Sequence, residues 1–321
     1  MAERSLGIFE KYDFEVLNQK KGRGIVVLFT DKGLKVLKEY NGSGKNIDET
    51  AAILEELNKS SHIKTDVYVK NLEGEYITPG ADGNRYIIKE WYECRDCDIR
   101  NTADLYLLMN VLAGLHLELE KLSKNEYKYE AAMPSTLMQR HTRELLRIRK
   151  YLLKRSDKNS FERMALKNMD NFIAEAYSAE EMCRSFEKEE KLCTGLCHGN
   201  YNYHNISMAK EYCVVMNFEK MHRGYLMMDV YNVMRKLLEK YDWNIRLGHQ
   251  LLSEYNKVKT ISSEDVEFLA ILFSYPEKFW KVLNSYYNSK KTWMPPKSSV
   301  KLNNVLNQNR LRLEFINTIK N

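Results

Sequence analysis

The fold assignment rests on residues 196–220, which read LCHGNYNYHNISMAKEYCVVMNFEK. The stretch contains the triplet His198-Gly199-Asn200, a further asparagine at Asn205 after four residues, and Asn217 twelve positions beyond Asn205. The short apolar runs between the last two asparagines predict β-structure. Three amide side chains at fixed spacing around a short β-segment therefore mark the candidate site.

This spacing resembles the catalytic segment of protein-kinase-like phosphotransferases, which have His-x-Asp, four residues, Asn and a later Asp-containing triplet. In those proteins the first Asp accepts or orients the substrate hydroxyl, and the Asn and the later Asp hold the metal against the nucleotide phosphates. By resemblance, Asn200 stands at the base position, while Asn205 and Asn217 stand at the metal positions. His-Gly in place of His-Arg points to the small-molecule kinase branch. We expect His198 to brace the loop rather than to carry protons.

Asn200 and Asn217 stand where this resemblance requires carboxylates. A carboxamide has no charge and takes up no proton near neutral pH. It is also a poor primary ligand for Mg²⁺, which proteins usually hold through one or two carboxylates. Glu219 could supply a metal carboxylate, because alternation along a strand would turn it to the same side as Asn217. The alternative is that the loop only keeps an inherited shape and the asparagines satisfy local hydrogen bonds.

The rest of the chain predicts a sheet-rich beginning followed by helices. Residues 12–40 read as a hairpin, residues 46–60 have apolar positions at helical spacing, and further strands follow, which gives a β-β-α-β-β order. Residues 102–122, 136–190 and the chain from 229 onward are predicted to be mainly helical. We therefore expect an α+β, two-lobed, protein-kinase-like fold. Its small β-rich N-terminal lobe spans 1–90, and its large, mostly helical C-terminal lobe spans 91–321.

The chain also resembles the CotS-type spore-coat proteins of endospore-forming bacteria, a branch of the aminoglycoside-phosphotransferase-like kinases. The stretches that carry the resemblance include GRGIVVLFTDKGLKVLKEY, EWYECRDCDIRN, CHGNYNYHNI, NFEKMHRGYLMMDVYNVMRK and YPEKFWKVLNSYYNSKKTWMP. Members commonly have an acidic residue where this chain has Asn200. The resemblance implies a location in the spore coat and other coat proteins as partners, whereas the lack of a signal-peptide core and of a membrane span predicts synthesis in the cytoplasm.

The same resemblance assigns nucleotide-binding positions. Lys38 resembles the strand lysine that pairs with nucleotide phosphates, and Lys35 would point to the opposite face. Glu90 and Tyr92 lie in a segment that resembles the hinge that binds adenine. Asp229 resembles the aspartate that accepts hydrogen bonds from the backbone of the catalytic loop.

Two further features of the resemblance stay open. The helix partner of Lys38 would be Glu49, Glu55 or Glu56, and the sequence does not choose among them. A phosphate loop at residues 20–24 has only two glycines, a pattern that is more typical of a plain hairpin turn.

Composition excludes several other classes of protein. With 44% hydrophobic and 29% charged residues, the chain is typical of a globular protein. The net charge of +6 permits an anionic ligand such as a nucleotide but is too small to favour nucleic acid. No apolar run approaches the roughly 20 residues of a membrane span, and the first residues lack the apolar core of a signal peptide.

The cysteines suggest ordinary thiols in a reducing compartment. Cys94 and Cys97 form one closely spaced pair, and Cys193 and Cys197 form another. Two such pairs could bind zinc, but they do not match a known zinc-site pattern, so buried thiols are the preferred interpretation.

Three functions therefore compete. The first is a pseudokinase or scaffold of the spore coat, because both carboxylates are replaced. The second is an active ATP-dependent phosphotransferase of aminoglycoside-kinase or choline-kinase type with a remodelled metal site, because phosphoryl transfer depends chiefly on positioning and charge. The third is a module that senses nucleotide without turnover. ATP and Mg²⁺ are the implied cofactors, and the asparagines imply weak or absent binding of both.

Overall fold

The computed structural model describes residues 7–22, 24–59, 62–122, 127, 129–189, 192–288 and 296–320. The chain forms two compact units, residues 1–129 with 195–223 and residues 130–194 with 224–321. The first unit contains most of the β-structure and the second is mainly helical. This confirms the α+β class, with a β-sheet N-terminal region and a helical C-terminal region. The lobe boundary at residue 90 stays a prediction.

The strands of the described chain are β1 (Val16–Lys21), β2 (Ile25–Thr30), β3 (Gly33–Glu39), β4 (Ile63–Thr65), β5 (Tyr68–Val69), β6 (Thr78–Pro79), β7 (Arg85–Glu90), β8 (Arg95–Asp96), β9 (Thr194–Cys197), β10 (Ile206–Met208), β11 (Cys213–Val215) and β12 (His222–Tyr225). The α-helices are α1 (Ile47–Leu57), α2 (Thr102–Leu122), α3 (Pro134–Lys154), α4 (Ser160–Glu187), α5 (Met227–Leu238), α6 (Ile245–Val258), α7 (Ser263–Ser274), α8 (Glu277–Tyr287) and α9 (Pro296–Lys320).

The larger sheet of the first unit has the order β1-β2-β3-β7-β5, and β6 pairs with β7. The predicted hairpin is confirmed as β2 and β3, whose register pairs Ile25 with Lys38. Its turn requires Gly33, whose φ of 90° lies in the left-handed region that side chains disfavour. On the other side of β3, Lys38 pairs with Ile87 of β7. This register places Lys38 in a central strand of the sheet.

A second sheet of the same unit, with the order β4-β11-β10-β8, positions the asparagines. The hairpin β10–β11 pairs Ile206 with Val215, and the Met216 N–H donates to the Asn205 carbonyl at 2.9 Å. Asn205 therefore lies beside the residue that precedes Asn217. Strands β9 and β12 form a separate two-stranded sheet.

The helical unit differs from the prediction at one break. Residues 136–190 were expected to be helical throughout, but α3 ends at Lys154 and α4 begins at Ser160. Asn159 causes the new start, because its side chain accepts the Glu162 N–H while the Glu162 carboxylate accepts the Asn159 N–H, each at 3.0 Å.

Aromatic packing fills the core of this unit. Phe172 of α4 stacks on Phe279 of α8 with ring centroids 4.0 Å apart.

Asp229 is 1% exposed in the first turn of α5. Its proposed role in bracing the 198–205 loop stays a prediction.

None of the helices in the described ranges is long and apolar enough to cross a membrane.

Candidate functional site

The candidate site lies within the first unit, where a loop leaves β9, enters the β10–β11 hairpin and ends in a turn. His198 is fully buried at the start of this loop. Its Nε2 lies 3.0 Å from the Met216 carbonyl, and its Nδ1 lies 3.2 Å from the Asn200 N–H. A neutral ring with its proton on Nε2 satisfies both contacts. His198 therefore ties the two ends of the loop together, and this geometry leaves neither ring nitrogen for a proton shuttle.

Gly199 allows the loop to pass close to the turn that follows the hairpin. Its φ is 75°, and a Cβ built on it would overlap the carbonyl oxygen of Lys220. Both facts require glycine at this position. The His-Gly pair is therefore explained by packing alone, whatever chemistry the site performs.

Two asparagine side chains fix the backbone of Asn200. Asn202 Nδ2 and Asn205 Nδ2 donate to the Asn200 carbonyl at 2.7 and 2.8 Å. Asn200 itself is partly exposed. Asn200 thus occupies a well-ordered position next to Asn205 and presents an amide that cannot act as a base near neutral pH.

Asn217 links this loop to the large sheet. Its Nδ2 donates to Asn205 Oδ1 at 3.0 Å, and its Oδ1 accepts from Lys38 Nζ at 2.8 Å. Its backbone N–H lies 3.1 and 3.0 Å from the two carboxylate oxygens of Asp66. The structure therefore brings Asn200, Asn205, Asn217 and Lys38 together in one hydrogen-bonded chain.

The local backbone at Asn217 differs from the strand that the alternation argument assumed. Strand β11 ends at Val215, Asn217 has a φ of 69°, and Glu219 lies in a turn. Asparagine tolerates this left-handed conformation better than most residues do. Glu219 nevertheless lies near Asn217, because both side chains accept a hydrogen bond from Lys38 Nζ.

A single carboxylate oxygen of Glu219 accepts from two ammonium groups. Lys38 Nζ and Lys89 Nζ each lie 2.8 Å from Glu219 Oε1. Burial raises the pKa of Glu219, but the charges and hydrogen bonds of Lys89 and Lys38 outweigh that effect and hold the pKa at about 2. Glu219 is therefore ionised at neutral pH, and its Oε1 accepts hydrogen bonds from both lysines.

Lys89 and Asp66 form the buried side of this network, with side chains 1% and 3% exposed and 3.0 Å between Lys89 Nζ and Asp66 Oδ2. Burial lowers the pKa of Lys89, whereas Asp66, Tyr68 and Glu219 raise it above the ordinary lysine value. Lys89 Nζ also lies 4.5 Å from the centre of the Tyr68 ring, within cation–π range. Lys89 therefore remains charged in the core.

The sequence did not identify either Lys89 or Asp66 as a site residue. A lysine inside the apolar strand NRYIIKEW is the signal that could have pointed to Lys89, because a buried lysine is almost always paired. Asp66 gave no comparable signal.

The two lysines of β3 have different partners. Lys35 Nζ pairs with Glu90 Oε1 at 2.8 Å, whereas Lys38 pairs with Glu219. The expected pairing of Lys38 with a glutamate of α1 was wrong, because Glu49, Glu55 and Glu56 all lie on the exposed face of that helix.

Glu90 and Tyr92, the residues that resemble a hinge, form polar contacts with other residues of the first unit. The Glu90 N–H donates to the Val67 carbonyl at 2.8 Å, and its carboxylate pairs with Lys35. The Tyr92 hydroxyl accepts from Asn58 Nδ2 at 3.2 Å. A role of Glu90 and Tyr92 in binding adenine stays a prediction. In the 20–24 turn, Arg23 lies outside the described residues.

The residues at the metal positions fit Mg²⁺ poorly. Asn205 Oδ1 accepts from Asn217, Asn217 Oδ1 accepts from Lys38, and Glu219 Oε1 accepts from Lys38 and Lys89. Mg²⁺ would have to compete with an amide N–H at Asn205 Oδ1 and with ammonium groups at Asn217 Oδ1 and Glu219 Oε1, and only one of the three side chains is a carboxylate. Across the described ranges, no cluster of three or more His, Cys, Asp or Glu side chains could hold a metal ion.

Reactive thiols are equally unsupported in the part of the chain that the structure describes. None of the six cysteines, all of which lie within the described residues, forms a disulfide. Burial raises the pKa of Cys97 to about 12 and that of Cys213 to about 11. These thiols are therefore protonated and unreactive at neutral pH.

Comparison with solved structures identifies the fold. An aminoglycoside phosphotransferase from Alicyclobacillus acidocaldarius matches with a TM-score of 0.80 and 16% identity over 97% of this chain and 93% of its own. A choline/ethanolamine kinase family protein from Mesorhizobium loti matches with a TM-score of 0.58 and 10% identity over 99% and 97% of the two chains. An amicoumacin kinase in complex with AMP-PNP and Ca²⁺ matches with a TM-score of 0.58 and 12% identity over 97% and 89%.

The chain therefore has the aminoglycoside-phosphotransferase-like, protein-kinase-like fold, and that part of the sequence-based expectation is confirmed. Identities this low establish the fold alone. No protein-family model matches the chain, and no protein of curated function matches its sequence.

The buried ion network predicts that loss of Lys89 lowers the stability of the fold more than loss of Lys35, although both lysines are buried. Lys89→Met leaves the buried Asp66 without its cation and should destabilise the fold by about 3–5 kcal/mol. Lys35→Met is the matched control on the neighbouring strand. Its partner Glu90 is 39% exposed and can be hydrated, so this change should cost only about 1 kcal/mol. Urea unfolding of both variants measures the difference, and equal losses would contradict the assigned role of Lys89.

Proposed function

We propose that this chain is a pseudokinase, a kinase-fold protein that does not transfer phosphate and acts as a scaffold that binds other proteins of the spore coat. The observation that carries the proposal is the position of the Lys38 ammonium, which donates to Asn217 Oδ1 and Glu219 Oε1. A cation that belongs to the protein thus contacts the side chains that stand at the metal positions. These contacts give Asn217 Oδ1 and Glu219 Oε1 a cationic partner within the protein.

The charges of the site support this interpretation. Lys38 and Lys89 contribute two positive charges, and Asp66 and Glu219 contribute two negative charges. The four groups are neutral as a set, so no net negative charge remains to attract a divalent cation. An active kinase site keeps carboxylates available for that purpose.

The pairing of the two amides adds a second line of support. Asn217 Nδ2 donates to Asn205 Oδ1, which an ionised aspartate at position 217 could not do. Aspartate at the same position would set two acceptors against each other and would favour a cation between them. Asn217 therefore stabilises the metal-free arrangement in addition to lacking the charge that a metal needs.

The alternative is an active small-molecule phosphotransferase that uses Glu219 for its metal. Two ammonium groups already occupy Glu219 Oε1 and would compete with a metal for this carboxylate, and Asn200 could not serve as a base near neutral pH. The described contacts therefore favour the pseudokinase over this alternative.

We expect nucleotide binding by the wild-type protein to be weak and equally weak in Mg²⁺ and in EDTA. Asn217→Asp should make binding of ADP depend on Mg²⁺, because it supplies a carboxylate opposite Asn205. Asn200→Asp is the matched control, since it adds the same charge in the same loop but lies on no metal position. Titration calorimetry with ADP measures all three proteins. Mg²⁺-dependent binding by the wild type, or phosphate transfer by it, would contradict the proposal.

The location is a separate part of the proposal and rests on the CotS-type resemblance of the sequence. We expect a fluorescent fusion expressed from the native promoter to surround the developing spore during sporulation. Diffuse fluorescence in the mother cell would contradict a coat location.

A further inference from the structure

The contact of one carboxylate oxygen with two ammonium groups has the chemistry of an occupied anion site. Lys38 Nζ and Lys89 Nζ approach the same atom, Glu219 Oε1, at 2.8 Å each. Ammonium groups donate to phosphate oxygens in the same way as to carboxylate oxygens. We propose that Glu219 is an internal occupant of a metal-free phosphate site, and that a ligand bearing a phosphate group binds by replacing its carboxylate at Lys38. The proposal deepens the pseudokinase function and rests on it.

Exposure indicates which member of the network can move. The side chains of Lys89 and Asp66 are 1% and 3% exposed, whereas those of Lys38 and Glu219 are 29% and 19% exposed. Glu219 lies in a turn outside the sheets, so rotation of its side chain does not break a strand. Lys38 is anchored in β3 and keeps its bond to Asn217. Glu219 is therefore the group that leaves, and Lys38 is the group that receives the ligand.

The charges explain why this exchange needs no metal. After Glu219 turns away, Lys89 is still paired with Asp66 at 3.0 Å. The positive charge of Lys38 is then uncompensated and faces solvent. A phosphate group supplies the negative charge that compensates Lys38, whereas Mg²⁺ would add further positive charge. The ligand class that fits is a phosphate anion without a divalent cation, either free or carried by a nucleotide.

The same contacts predict that the wild-type protein resists this exchange. Lys38 and Lys89 both donate to Glu219 Oε1 at 2.8 Å, so two charge-assisted hydrogen bonds hold the carboxylate in place. A ligand must compete with a carboxylate that is tethered next to the site. Removal of the charge at position 219 should therefore increase the affinity for phosphate ligands.

The test compares Glu219→Gln and Glu219→Ala with the wild type, and uses Glu73→Gln as a control for net charge. Glu73 is an exposed glutamate elsewhere in the same unit. Calorimetric titrations in EDTA use pyrophosphate and ADP as separate probes. Both Glu219 variants should bind at least one probe more tightly by roughly tenfold or more, because each removes a charged competitor that is tethered beside Lys38. The control should match the wild type, and a gain for pyrophosphate alone would identify a free phosphate as the ligand.

Equal affinities of the wild type and the Glu219 variants would overturn the proposal. Failure of both variants to fold would also overturn it, because a contact that the fold requires cannot be exchanged for a ligand. These outcomes differ from failure of the pseudokinase function. That function fails if the wild-type protein transfers phosphate or binds nucleotide in a Mg²⁺-dependent manner, and neither result depends on position 219.

Discussion

Lys38 and Lys89 share one oxygen atom of Glu219, and the arrangement of the candidate site depends on that shared contact. Each lysine also has a second partner, Asn217 for Lys38 and Asp66 for Lys89. The network therefore joins the large sheet to the turn after the β10–β11 hairpin. Buried charges are costly unless they are paired and hydrogen-bonded, and here each of the four charged groups has an oppositely charged neighbour.

The asparagines complete this arrangement. Asn205 uses its Nδ2 on the Asn200 carbonyl and its Oδ1 on Asn217, so both ends of the amide are satisfied. Asn217 likewise donates to Asn205 and accepts from Lys38. Carboxylates at these positions could only accept, and the chain of donors and acceptors would be interrupted. Asparagine at position 217 is thus consistent with a site stabilised by its own lysines.

Much of this site follows from local sequence. The spacing between Asn205 and Asn217 predicts their approach, because a hairpin between them brings its ends together, and the observed register does so. The strand position of Lys38 follows from the alternation of β3. The α+β class followed from the change from strand-like to helical periodicity near residue 100.

The remaining features depend on contacts distant in sequence. Lys89 meets Asp66 and Glu219 across 23 and 130 residues, and no periodicity encodes such separations. Asn217 has a left-handed backbone and donates its N–H to Asp66, which is distant in sequence. Local alternation does not encode this contact and therefore predicted a strand where the chain turns. The α1 glutamates were candidate partners for Lys38 because of the resemblance, and only the fold shows that they face outward.

A crystal structure of the protein grown with Mn²⁺, with an anomalous difference map, tests most directly whether Lys38 takes the place of a metal. The account predicts Lys38 Nζ within hydrogen-bonding distance of both Asn217 Oδ1 and Glu219 Oε1, and no manganese peak bonded to Asn205, Asn217 or Glu219. A manganese peak on these side chains, with Lys38 displaced from them, would contradict it.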